Sequence, residues 1–189
     1  KGKTLVLLFF NPSLRTRLST QKAAQNLGMN VIIMNAAQGW QLEFEDGTVM
    51  NLDRAEHVKE AAQVISQYAD IIGIRTFPGL KDRKRDYEEF ILHQFVKYAS
   101  VPIINLESAT VHPLQSLTDL LTIEEHKTKE RPKVVLTWAP HPRTLPQAVA
   151  NSFVEWMKNA EVELVVTHPA GYELAPQFTT GCQVEYHQE

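Results

Sequence analysis

Residues 4–10, TLVLLFF, form an unbroken apolar run of strand length, and comparable runs recur at 31–34, 71–74, 102–106, 133–138 and 162–167. A strand that is apolar at every position is buried on both faces. Strands separated by helix-length segments pair in parallel, because the crossover returns the chain to the same edge. The alternation therefore demands an α/β fold with parallel sheets and ligand sites at the carboxyl ends of the strands. The spacing predicts helices over 14–27, 53–68, 82–98, 113–127 and 146–157. Ser13 is the expected N-cap of the first helix and Gly28 its stop. Asp53, with Glu56 three residues on, is the expected cap of the second. Over 82–98 the residues Tyr87, Phe90, Ile91, Phe95 and Tyr98 share the apolar side of a single amphipathic helix. Residues 35–52 lack clear periodicity and read as a long loop, a kind that is often functional. The charged segment HKTKERP at 126–132 ends in proline and reads as a domain boundary.

Bulk properties narrow the partners. The chain has 189 residues, enough for one large domain or two small ones. Its net charge of −3 gives no electrostatic footprint for nucleic acid, so any basic site must be local. No apolar run approaches the roughly 18 residues of a membrane helix. Neither nucleic acid nor membrane is an expected partner. Cys182 stands alone, so no intrachain disulfide is expected and a reducing cytoplasm is the natural setting. The chain starts without Met, so it is expected to be a piece of a longer one. His57, His93, His126 and His168 show no metal-ligand spacing with Cys or carboxylates. No Gly-x-Gly-x-x-Gly or Gly-x-Ser-x-Gly pattern occurs.

The chemistry concentrates at strand ends. Ser13-Leu14-Arg15-Thr16-Arg17 lies where the first strand gives way to a helix. Unpaired N–H groups and the positive end of the helix dipole suit a phosphate there. Two hydroxyls and two guanidinium forks add donors. The same residues also fit a plainly capped helix with solvated arginines. Arg75 ends the third strand, and His112 and Gln115 flank the turn after the fourth, on the same edge as Ser13. Glu107, directly after the fourth strand, could receive an ammonium or amide group, or simply be solvated. His141, between Pro140 and Pro142, could face it across a cleft, or merely mark a rigid turn. Trp40 stands in the long loop as an exposed tryptophan, which more often packs down or meets a partner chain than binds a ligand.

Ser13-Leu14-Arg15-Thr16-Arg17 resembles the Ser-x-Arg-Thr-Arg motif of the aspartate/ornithine carbamoyltransferase family. His112-Pro113-Leu114-Gln115 resembles that family's His-Pro-x-Gln motif, and Arg75 matches the arginine ending its third strand. Phe9-Phe10-Asn11-Pro12, Trp40, Glu107 and Thr137-Trp138-Ala139-Pro140-His141-Pro142 are similar to the branch acting on N-acylated ornithine. The resemblance implies two doubly wound parallel-sheet domains: a carbamoyl-phosphate domain over 1–125 and the start of an acylornithine domain over 126–189. It implies carbamoyl-phosphate contacts from Ser13, Leu14, Arg15, Thr16, Arg17, Trp40, Arg75, His112, Pro113, Leu114 and Gln115. Arg15, Thr16 and His112 would be catalytic. Glu107, His141 and the position of Ala55 would meet the acylornithine.

In that branch a loop tryptophan matching Trp40 reaches a neighbouring subunit of a homotrimer. A glutamate at the position of Ala55 goes with acetyl substrates, because it would repel the succinyl carboxylate, and a proline goes with succinyl. Ala55 removes the repulsion and leaves room. The expected reaction is therefore carbamoyl transfer to N-succinyl-L-ornithine in cytoplasmic arginine biosynthesis, without metal or organic cofactor. N-acetyl-L-ornithine as acceptor, a plain ornithine carbamoyltransferase and a non-catalytic anion-binding fragment are the rivals. The family's N-terminal helical segment and its His-Cys-Leu-Pro loop are not in this sequence, which implies truncation at both ends.

Overall fold

The first apolar run becomes β1 (Thr4–Phe9), followed by α1 (Arg15–Asn26), β2 (Asn30–Asn35) and two short strands, β3 (Leu42–Glu43) and β4 (Glu56–His57). Next come α2 (Val58–Tyr68), β5 (Ile71–Arg75), α3 (Arg83–Tyr87), α4 (Phe90–Tyr98), β6 (Ile103–Glu107) and α5 (Pro113–His126). The chain continues through β7 (Lys133–Thr137), α6 (Ala148–Met157), β8 (Glu163–His168), α7 (Pro176–Thr179) and β9 (Val184–Gln188). This computed structural model describes residues 2–36, 40–50, 53–138 and 141–181 in full, and 184–188 by their backbone. Cys182 and the steps Gln38-Gly39 and Ala139-Pro140 lie outside the described residues.

All strand pairs are parallel among the described residues. One sheet has the order β2-β1-β5-β6, a second β7-β8-β9, and β3 with β4 makes a short ladder. The period of two along β1 splits its side chains between two cores. Val6 and Leu8 pack with Ile72, Ile74, Ala61, Ala62, Ile65 and Phe95 on one face. Leu5, Leu7 and Phe9 pack with Leu106 and Ala24 on the other. Gly73 gives Leu7 room at the centre of β5: a Cβ there would lie 2.9 Å from Leu7 Cδ2 and force that side chain to shift. A third core joins Val154 and Met157 of α6 to Leu164 and Val166 of β8, and Leu120 and Ile123 of α5 pack against it. So α5 serves both sheets.

Local signals behave as expected in α1. The assigned helix starts at Arg15, but Leu14 already has helical angles, and Ser13 Oγ accepts from Thr16 N at 3.3 Å as a cap would. Gly28, at φ 76°, stops it. The bonds Gly28 N to Gln25 O and Met29 N to Ala24 O complete a Schellman end.

Two expectations fail. Asp53 caps nothing: the helix begins at Val58, and His57 Nδ1 accepts from Lys59 N at 3.1 Å. Residues 56–57 are drawn out instead to pair with β3, which seats Leu42 in the first core. The single helix over 82–98 is two. Asp82 caps α3 through Lys84 N and Arg85 N, but Glu89 turns left-handed (φ 49°, ψ 37°) and α4 starts afresh. Residues 184–188 add a third strand to the second sheet.

Candidate active site

Strand order reverses between β1 and β5, with β2 on one side and β6 on the other. Open α/β sheets bind ligands at such a reversal, outside the carboxyl ends of the strands, here β1 and β5. The turn into α1 leaves β1 there, and Arg75 ends β5 there.

Arg75 is 7% exposed, and each of its three guanidinium nitrogens has a partner. Its Nη1 donates to Pro12 O at 2.9 Å and Asn11 O at 3.4 Å, the residues just before Ser13. Its Nε and Nη2 lie 3.0 and 2.8 Å from Glu107 Oε2. The guanidinium also stacks 4.1 Å from the Phe77 ring centroid. A register shift between Ile74 and Arg75 pairs Arg75 with Glu107 instead of the next residue in line. Such irregularities re-aim side chains near functional sites. Asn11 closes the turn, its Oδ1 accepting from Phe77 N at 2.6 Å.

His112 sits against the same carboxylate, with Nε2 3.5 Å from Glu107 Oε2. Its Nδ1 is buried with no hydrogen-bond partner among the described residues. Burial pushes the imidazole below its ordinary value of 6.5, outweighing the pull of Glu107 in the other direction; Arg75 adds to the depression. His112 is therefore neutral near pH 7. The folded protein resists a proton that the unfolded chain accepts near 6.5, so acidification from that value towards the lower folded one favours unfolding. Stability should decline over this interval, and His112→Gln should flatten the decline in denaturant titrations. Glu43, Asp46 and Asp70 act at more acid pH. The backbone N–H groups of Glu45 and Phe44, the Lys97 ammonium and the Lys3 ammonium hold these three carboxyls below their ordinary range.

The structure thus joins Arg75, Glu107 and His112 to the main chain that leads into Ser13. Glu107, read from sequence as potentially solvated, is buried. Arg15 and Leu14 are exposed at the start of α1. Arg17 donates to Asn35 Oδ1 at the end of β2 and lies over the Phe9 ring. Pro113 opens α5, Leu114 is exposed, and Gln115 Nε2 donates to Asp119 Oδ1 at 2.8 Å.

The remaining sequence candidates lie elsewhere. His141 lines a cleft of about 870 Å³ between the two sheets, with Trp138, Arg143, Lys81 and Arg83. Its Nδ1 is 3.1 Å from Arg143 N and 3.0 Å from Arg143 O, which fixes the ring. Trp40 and Ala55 sit together on the β3–β4 ladder, where Ala55 N donates to Gln41 O and Trp40 Nε1 to Glu56 Oε2 at 2.7 Å. Neither lines that cleft. Trp40, expected to be exposed, is half-buried against the first core.

Sequence reading passed over three polar residues that hold the His112 loop: Glu89, Asn151 and Ser152. Asn151 Nδ2 donates to Thr110 O at 3.0 Å, and Ser152 Oγ accepts from His112 N at 2.7 Å. The available signal was polar residues on the buried side of α6, beside Ala148 and Val154. Glu89 gave none, because a glutamate in an amphipathic helix is unremarkable.

Residues 1–125 match the family model described as aspartate/ornithine carbamoyltransferase, carbamoyl-P binding domain. The N-succinylornithine carbamoyltransferase of Bacteroides thetaiotaomicron is 58% identical over all 189 residues. The N-acetylornithine carbamoyltransferase of Xanthomonas axonopodis pv. citri is 44% identical over 156 residues, 80% of this chain and 45% of that protein. A glutamate-to-serine variant of N-acetyl-L-ornithine transcarbamylase, complexed with carbamyl phosphate and N-succinyl-L-norvaline, superposes with a TM-score of 0.90. It is 36% identical, with 99% of this chain and 60% of that one covered. The chain spans 59% of the length of its Bacteroides relative. With residues 1–125 matched by that family model and 58% identity over all 189 residues to a carbamoyltransferase, the chain belongs to the aspartate/ornithine carbamoyltransferase family.

Proposed function

We propose that the protein carrying this chain transfers the carbamoyl group of carbamoyl phosphate to the side-chain amine of N-succinyl-L-ornithine. The products are N-succinyl-L-citrulline and phosphate, a step of arginine biosynthesis. The observation that carries the reading is the buried Arg75–Glu107–His112 cluster beside the Ser13 turn. Phosphate docks on Ser13, Arg15, Thr16, Arg17 and Arg75, competing with Glu107 for the Arg75 guanidinium. A neutral His112 carries its proton on the nitrogen facing Glu107, because a carboxylate only accepts. Once Glu107 turns to the acceptor amine, that N–H is freed and, with Arg15 or Thr16, polarises the carbamoyl oxygen, while Gln115 holds the carbamoyl nitrogen. The acceptor amine attacks as the free base. Its nitrogen bonds to the carbamoyl carbon, the carbon–oxygen bond to phosphate breaks with its electron pair on phosphate, and the amine sheds one proton. Positioning replaces a covalent nucleophile.

Glu107 and His141 take the acylornithine, with cationic Arg143 beside His141 in the cleft wall. Trp40 and Ala55 share one loop, so a loop that reaches a neighbouring subunit of a homotrimer carries both. The succinyl assignment draws support from the Bacteroides relatives, 58% and 57% identical. It is also supported by a glutamate-to-alanine variant of N-acetyl-L-ornithine transcarbamylase that holds N-succinyl-L-norvaline. Losing one negative charge is what Ala55 offers too.

The test is phosphate release from carbamoyl phosphate by the full-length protein with ornithine, N-acetylornithine and N-succinylornithine side by side. Release with N-succinylornithine alone is expected. Release with N-acetylornithine alone would move the acceptor and leave the carbamoyl chemistry standing. Silence with all three would overturn the enzyme reading.

A further inference from the structure

Glu89 breaks a helix that its neighbours would otherwise continue. Its left-handed backbone is uncommon for a residue with a side chain, and such strain persists where surrounding contacts impose it. Those contacts are specific. Glu89 Oε1 accepts from Ser108 Oγ at 2.7 Å, Thr110 N at 2.7 Å and Thr110 Oγ1 at 2.6 Å. Its Oε2 accepts from Ala109 N at 3.1 Å. All four partners donate, so only an acceptor-only group satisfies them. Ser108 and Thr110 are buried. The loop they form leads from Glu107, which ends β6, to His112, which precedes α5. On its far side Asn151 and Ser152 of α6 hold Thr110 O and His112 N.

We infer that Glu89 is a positioning residue for carbamoyl transfer: its carboxylate clasps the Ser108–Thr110 main chain and so sets His112 and Gln115 against the carbamoyl group. The inference rests on the carbamoyltransferase reading above. Glu89 touches no part of the Ser13 turn or Arg75 in the described contacts. The phosphate subsite and the carbamoyl subsite are thus separable through this one carboxylate. A displacement near 1 Å at a reacting group can cost on the order of 100-fold in rate.

The test compares full-length wild type, Glu89→Gln and Thr110→Val. Affinity is measured for inorganic phosphate and for carbamoyl phosphate, and kcat with the acceptor found active. Glu89→Gln turns one acceptor oxygen into an amide that opposes a donor. It should leave phosphate affinity unchanged, weaken carbamoyl phosphate relative to phosphate, and lower kcat by roughly 10- to 100-fold. Thr110→Val removes one donor and should move the same ratio less. It carries the test if Glu89→Gln does not fold. Parallel loss of both affinities, or no change in their ratio and in kcat, would show a merely structural contact and overturn the inference. Wild type that binds no carbamoyl phosphate would instead bring down the function itself, before any variant is compared.

Discussion

Arg15→Ala is expected to abolish carbamoyl-phosphate binding by the full-length protein. Arg15 is exposed at the start of α1, on the sheet edge where Arg75 ends β5. Arg75 already spends its guanidinium on Glu107 and on two backbone carbonyls. Arg15 is exposed, so its whole fork can reach phosphate oxygens. Two charge-assisted hydrogen bonds at about 1.5–3 kcal/mol each correspond to more than 100-fold in affinity. Arg15→Lys keeps the charge and loses the fork, so it should recover only part of the binding. Calorimetric titration with carbamoyl phosphate decides the matter. Unchanged affinity in Arg15→Ala would remove the Ser13–Arg17 turn from the site.

The second large effect is on stability. Glu107→Ala leaves the Arg75 guanidinium buried without its counter-charge, because the two side chains are 9% and 11% exposed. Removing one member of a buried pair costs about 3–5 kcal/mol. Denaturant unfolding should show this as a lower midpoint with little change in slope. An exposed pair serves as the control. Arg85 and Glu45 also meet, at 3.1 Å, but with side chains 67% and 59% exposed. Glu45→Ala should cost under about 1 kcal/mol. Equal losses in the two variants would mean that burial of the Arg75 pair carries no special weight.

The difference between those pairs also separates what was legible in the sequence from what was not. The β1 run, the Ser13 hydroxyl on Thr16 N and the Gly28 stop depend on residues within one turn of each other, and all were readable. So was the Ser13–Arg17 turn, since five consecutive residues carry it. The surroundings of Glu107 and His141 were less legible. His141 could be named as a candidate, but nothing local said that Glu107 would be buried.

Tertiary structure decided the rest, each time because a group distant in sequence outbid a local preference. Asp53 and Glu56 have the spacing of a capping box, yet β3 recruits residues 56–57 and moves the helix start to Val58. Residues 82–98 have one helical period throughout, yet four donors from residues 108–110 capture the Glu89 carboxylate and turn its backbone left-handed. Arg75 and Glu107 meet across 32 positions through a register shift that no periodicity encodes. By itself the sequence determined the parallel α/β scaffold and the start and stop of α1, because apolar period and end-caps act over a few residues. The partners of Arg75, Glu107 and His112 were left to the packed sheet, because burial creates both the cost of an unpaired charge and the neighbour that relieves it.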